Sequence, residues 1–110
     1  MNWNLIKEKY PKVADKLIKH YQIDDSLIGY RYFMEDYLRR NLYDFFDGEG
    51  IIIEIGFSPG NKVLPGDTVF YYDFCIDDFP VAESKDYYKT RTEAEEQSFL
   101  KAFEILEEKL

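Results

Sequence analysis

Around Asp47-Gly48-Glu49-Gly50 the spacing of apolar residues changes period, and this change restricts the chain to folds that combine helices with a sheet. Before it, Leu27, Tyr30, Met34, Leu38, Leu42 and Phe45 recur every three or four residues, which lines up one face of a helix. After it, Ile51, Ile53, Ile55 and Phe57 alternate with Ile52, Glu54 and Gly56, the period of a strand with two distinct faces. β-Branched isoleucine favours the strand, and the Asp-Gly-Glu-Gly stretch is turn chemistry.

The same reading extends to both ends of the chain. Ile6, Tyr10, Val13, Leu17 and Tyr21 form another helical face, which Pro11 interrupts because it lacks an N–H and clashes with the preceding turn. The spacing predicts a short helical turn, a break, and a second helix with Pro11 near its first position. Asp24, Asp25 and Ser26 are suitable caps for the helix running to about Phe46, with Glu35–Arg39 and Asp36–Arg40 as ion pairs on its far side. Beyond the first strand, a loop with Pro59-Gly60-Asn61 and Pro65-Gly66-Asp67 leads to a second strand over 68–76, with Phe70, Tyr72, Phe74 and Ile76 facing the core. Tyr87-Tyr88 suits either a short third strand or an aromatic lid. In the last segment Thr92 and Glu95 form a capping box, and Thr90 with Glu93 offers the same box two residues earlier. Phe99, Ala102, Phe103, Leu106 and Leu110 mark that helix's buried face. The expected fold is therefore α+β, one domain over residues 1–110, in the order α-α-β-β-(β)-α. Its helices pack on one face of a small antiparallel hairpin sheet.

A chain of 110 residues can bury a stable core without metals or disulfides. Ten tyrosines and nine phenylalanines supply unusually large buried area per residue. The single cysteine, Cys75, forbids an intramolecular disulfide and, with no basic neighbour to activate it, reads as a small hydrophobe. The opening MNWNLIKEKYPK has no signal-peptide apolar core, and no run is long enough to span a bilayer, so a cytoplasmic, soluble protein is expected. Charge is distributed unevenly. Residues 1–43 carry eight basic and six acidic side chains, whereas residues 44–110 carry six and sixteen. An acidic second half disfavours nucleic acid, whose phosphates require Lys and Arg, and suits a basic protein partner.

Few residues suggest chemistry. On a strand, Asp73, Cys75 and Asp77 point to one face, and Glu54 of the neighbouring strand lies within their reach. Glu54, Asp73 and Asp77 are thus candidate oxygen ligands for a hard divalent cation, set against ordinary carboxylates on a solvated face. Glu83-Ser84-Lys85, downstream of Asp67 or Asp73, echoes the acidic pair and E-x-K triplet of metal-dependent nucleases. His20, the only histidine, lies on a helix surface beside Lys16 and Lys19 with no nucleophile tied to it. Phosphate loops, dinucleotide fingerprints, zinc spacings and nucleophile elbows are absent, and no cofactor is implied. Tyrosines off the core faces, Tyr32, Tyr43 and Tyr71, together with Asp78, Glu93 and Glu96, make the candidate interaction surface.

The tail YYKTRTEAEEQSFLKAFEILEEKL resembles the closing strand–helix of small uncharacterised bacterial and prophage-encoded proteins, through its Tyr-x-Thr-Arg-Thr-Glu-Ala-Glu stretch and its Ala-Phe-x-x-Leu-Glu ending. The resemblance implies no activity and no site residues. The residues themselves favour a non-enzymatic accessory, inhibitor-like or immunity-like domain that binds another protein. The alternative is a metal-dependent hydrolase or nuclease built on the sheet carboxylates. Self-association through the sheet edge or the aromatic helix is compatible with either.

Overall fold

The computed structural model describes residues 3–21, 42–58, 68–77, 79–83 and 86–110. Two short helices open the fold, α1 (Trp3–Lys9) and α2 (Pro11–Tyr21). The break falls at Pro11, which occupies the first position of α2 as its missing N–H demands. Tyr10 is a poor cap, and the first turn of α2 contains no acidic residue. The Glu107 carboxylate from the far end of the sequence supplies the acceptor instead, taking the Lys12 backbone N–H at 2.8 Å. The helix expected from Asp24 onward lies mostly outside the described residues; its end is α3 (Leu42–Gly48).

Three antiparallel strands follow, β1 (Ile51–Ser58), β2 (Val69–Ile76) and β3 (Phe79–Glu83), in the spatial order β1-β2-β3. The chain closes with α4 (Arg91–Lys109). The fold is α+β, as its sequence pattern implies, with a helical layer packed against one face of the sheet. Each rung of the β1–β2 ladder pairs residues of the same face. Ile51, Ile53 and Ile55 stand opposite Ile76, Phe74 and Tyr72 on the core side. They meet Phe45 and Phe46 of α3, Val13 and Leu17 of α2, and Phe99, Ala102, Phe103 and Leu106 of α4 in one cluster. The aromatic rings interlock there. Phe46 meets Phe103 edge-on with centroids 5.1 Å apart, and Tyr10 lies over Phe103 at 6.1 Å.

The structure corrects four details. Phe57, expected on the core face, is 57% exposed. Its rung partner Phe70 is only half-buried and meets Arg91, the first residue of α4, at 5.5 Å, so this end of the hairpin lies at the margin of the helical layer. Leu110 is also exposed, because α4 ends at Lys109. The third strand is formed by 79–83 rather than by Tyr87-Tyr88, and a two-residue connection joins paired Ile76 and Phe79. Such a hairpin needs a left-handed residue, and Asp77 meets the demand with φ 50°. Tyr88 still joins β2, exchanging backbone hydrogen bonds of 2.7 and 2.8 Å with Phe70. Finally, Thr90 and not Thr92 caps α4, its hydroxyl accepting the Glu93 N–H at 3.1 Å. Thr90→Ala should therefore lower stability by about 0.5–2 kcal/mol, whereas Thr92→Ala should change it by less than about 0.5 kcal/mol, as read by urea denaturation.

Candidate functional site

Alternation along β1 and β2 sends every second side chain away from the helices. The face so formed carries Ile52 opposite Cys75, Glu54 opposite Asp73, and Gly56 opposite Tyr71. Ile52 and Glu54 are open to solvent, while Tyr71, Asp73 and Cys75 are half-buried. Aromatic residues make one end of this face. Gly56 has no side chain, and the Tyr71 ring lies across the space it leaves; a Cβ added there would fall within 2.6 Å of the ring's Cε2 and hydroxyl. Tyr87 packs edge-on against Tyr71 with centroids 6.1 Å apart and is itself 67% exposed. Its neighbour Tyr88 turns the other way, stacking on Tyr72. The pair Tyr87-Tyr88 thus divides between the two faces of the sheet.

Carboxylates occupy the middle of the face. Glu54 and Asp73 share a rung, where like charges directly opposite destabilise a sheet. Asp73 also pairs in register with Glu83 of β3, so an acidic position from each strand falls in one row. One Asp73 carboxylate oxygen, Oδ1, is buried and accepts no hydrogen bond among the described residues. An unsatisfied buried acceptor is costly.

The sequence-derived candidates separate into distinct places. Of Glu54, Asp73 and Asp77, the first two face each other, but Asp77 stands at the turn and meets Lys109 Nζ at 3.2 Å. It also donates its backbone N–H to Gly50 at 2.9 Å, and so ties the sheet's end to the close of α4. Among the described residues no group of three or more potential metal ligands gathers. Asp67, Ser84 and Lys85 of the nuclease-like pattern lie outside the described residues, as do Tyr32 and Asp78. Tyr43 belongs to the core side, edge-on to Phe99 at 5.0 Å. Glu93 is exposed and Glu96 half-buried on α4, in the layer opposite Tyr71. Of the proposed interaction residues that are described, Tyr71 alone stands on the outer sheet face. Sequence reading missed Ile52 and Tyr87 there, although alternation along β1 places Ile52 on the same side as Glu54.

On the helical side, a cleft of about 400 Å³ opens between α1, α4 and Tyr72 of β2. Burial raises the pKa of Tyr72, Tyr88 and Tyr10 above the ordinary phenol range. Asp47 is also raised, chiefly by burial and then by the adjacent Asp44, but it stands apart from both surfaces. His20 lies edge-on to Phe45 at 5.4 Å, a packing contact. No helix among the described residues is long and apolar enough to cross a membrane.

Compared with protein-family models, curated proteins and solved structures, the chain matches none.

Proposed function

We propose that this domain binds an extended, basic segment of another protein along β1 and the outer face of the β1–β2 hairpin. The carrying observation is the Glu54–Asp73 rung, two opposed carboxylates on an open face, one with an unsatisfied buried oxygen. Like charges so placed cost stability in isolation and reward a lysine or arginine brought between them. The flanking residues fit the rest of such a segment. Ile52, 42% exposed, offers an apolar contact on one side, and the Tyr71–Tyr87 pair offers aromatic faces to a second cation or to aliphatic stems.

The strand itself supports this mode. Among the described strands β1 stands at the edge of the sheet, eight residues long, with the sequence IIIEIGFS. Lysine, proline and bulges are the common protections of an exposed edge, and β1 contains neither residue. A partner strand added there would gain backbone hydrogen bonds along the edge, with alternate side chains reaching the outer face.

The test is fluorescence anisotropy with a labelled peptide alternating arginine and valine, alongside a version with glutamate in place of arginine. The arginine peptide should bind with an affinity that falls as salt rises, and the glutamate peptide should not bind. Glu54→Gln with Asp73→Asn should weaken binding about tenfold or more. Gly56→Ala, which displaces the Tyr71 ring, should weaken it without unfolding the domain. Equal binding of both peptides, or an unchanged affinity in the double variant, would remove the basis for this reading. Light scattering of the protein alone separates partner binding from pairing of two β1 edges.

A further inference from the structure

The cleft between α1 and α4 is of the size and lining expected of a ligand site, within the roughly 300–1,000 Å³ range of small-molecule pockets. Leu5, Ile6 and Leu100 give it apolar walls, and Tyr10 and Tyr72 add aromatic surface with hydroxyls. Leu5 is 55% exposed, an apolar side chain left at the mouth of the cleft rather than in the core. Tyr10 is held from behind by stacking on Phe103, and Tyr72 by stacking on Tyr88. These walls are fixed by the core before any ligand arrives.

Charge at the cleft opposes that of the molecule. Among the described residues Lys9 and Lys101 line it with one acid, Glu104, in a chain whose net charge is −8. The Lys101–Glu104 contact is long, 3.4 Å, and both side chains are about half exposed, so it holds the lysine only weakly. Lys9 is exposed and forms no ion pair among the described residues. An apolar slot edged by two ammonium groups matches one kind of small molecule.

We infer that this cleft binds a monoanionic amphipathic small molecule, its carboxylate or equivalent head at the rim with Lys9 and Lys101 and its apolar body against Leu5, Leu100 and the Tyr10 and Tyr72 rings. The site is separate from the outer sheet face, which is acidic and would prefer a cation.

Calorimetric titration with decanoate tests it, with decanol and decyltrimethylammonium as neutral and cationic counterparts of the same chain length. Decanoate should bind saturably at one site, about tenfold or more tighter than decanol, and the cation should not compete. Lys9→Met with Lys101→Met should remove the preference for decanoate over decanol. Leu5→Trp, at an exposed position that tolerates the larger ring, should fill the mouth and weaken binding while the melting temperature holds. Glu54→Gln with Asp73→Asn should leave decanoate binding unchanged, so failure here is distinguishable from failure of the peptide site. Absence of saturable decanoate binding, equal affinity for the cation, or undiminished binding by the Leu5→Trp protein would overturn the inference.

Discussion

Phe103→Ala will destabilise the domain by about 3–5 kcal/mol, enough to remove a large part of the stability of a chain this size. Phe103 is fully buried at the point where the helices converge. Its ring is met edge-on by Phe46 from α3 and covered by Tyr10 at the junction of α1 and α2. Phe46 and Tyr10 cannot readily collapse into the space, because one sits in α3 and the other at the α1–α2 junction, each anchored by its own backbone. The loss therefore combines transfer of the ring to water with a cavity that stays largely open. Urea denaturation reads the change directly through the midpoint at constant slope. A cost below about 1 kcal/mol would mean that the α4 register is wrong.

Phe74→Ala should cost a comparable 3–5 kcal/mol, and it tests the other layer. Phe74 is the buried residue of the central strand, paired with Ile53 on the core face. It attaches the sheet to the helices, so its removal weakens the contact between layers rather than within one of them. Phe57→Ala is its natural control. Phe57 shares the same strand-face parity through its rung with Phe70, yet it is mostly exposed, and its truncation should cost less than about 0.5 kcal/mol. If the two substitutions cost the same, the helical layer extends over the whole hairpin and the exposed end is not available to a partner.

Much of this architecture was legible in the order of residues. Period 3.6 gave Ile6, Val13, Leu17, Phe99, Phe103 and Leu106 their buried positions, and period 2 separated the faces of β1 and β2. Periodicity is a local property, so it carried no information about where the helical layer stops; that is why Phe57 was expected inside. Local grammar also could not choose between two overlapping capping boxes, since Thr90 and Thr92 offer the same chemistry and only the packing of α4 selects the first. Long-range partners were out of reach altogether. Glu107 capping α2, and Lys109 holding Asp77 at the β2–β3 turn, join segments distant in sequence. The latter pairing explains why Asp77 leaves the carboxylate group that alternation alone assigned to it. The Glu54–Asp73 rung was anticipated because both residues sit off the apolar period of adjacent strands. The cleft beside Tyr72 was not, because it is bounded by three elements whose approach no short-range pattern encodes.

The acidic character of residues 44–110 gains a location from the structure. Part of it is spent on helix and turn contacts, such as Glu49 with Lys16 at 2.8 Å. Among the described residues no cation pairs with the Glu54–Asp73 rung, which stands on the sheet face opposite the described helices.

Amide chemical-shift mapping with the arginine–valine peptide addresses that face most directly. Saturable shifts should concentrate on Ile52, Glu54, Tyr71, Asp73 and Tyr87 and along the β1 edge, leaving the buried face of α4 unmoved. Shifts absent from that set, or centred instead on Glu93 and Glu96 of α4, would contradict a binding surface on the sheet.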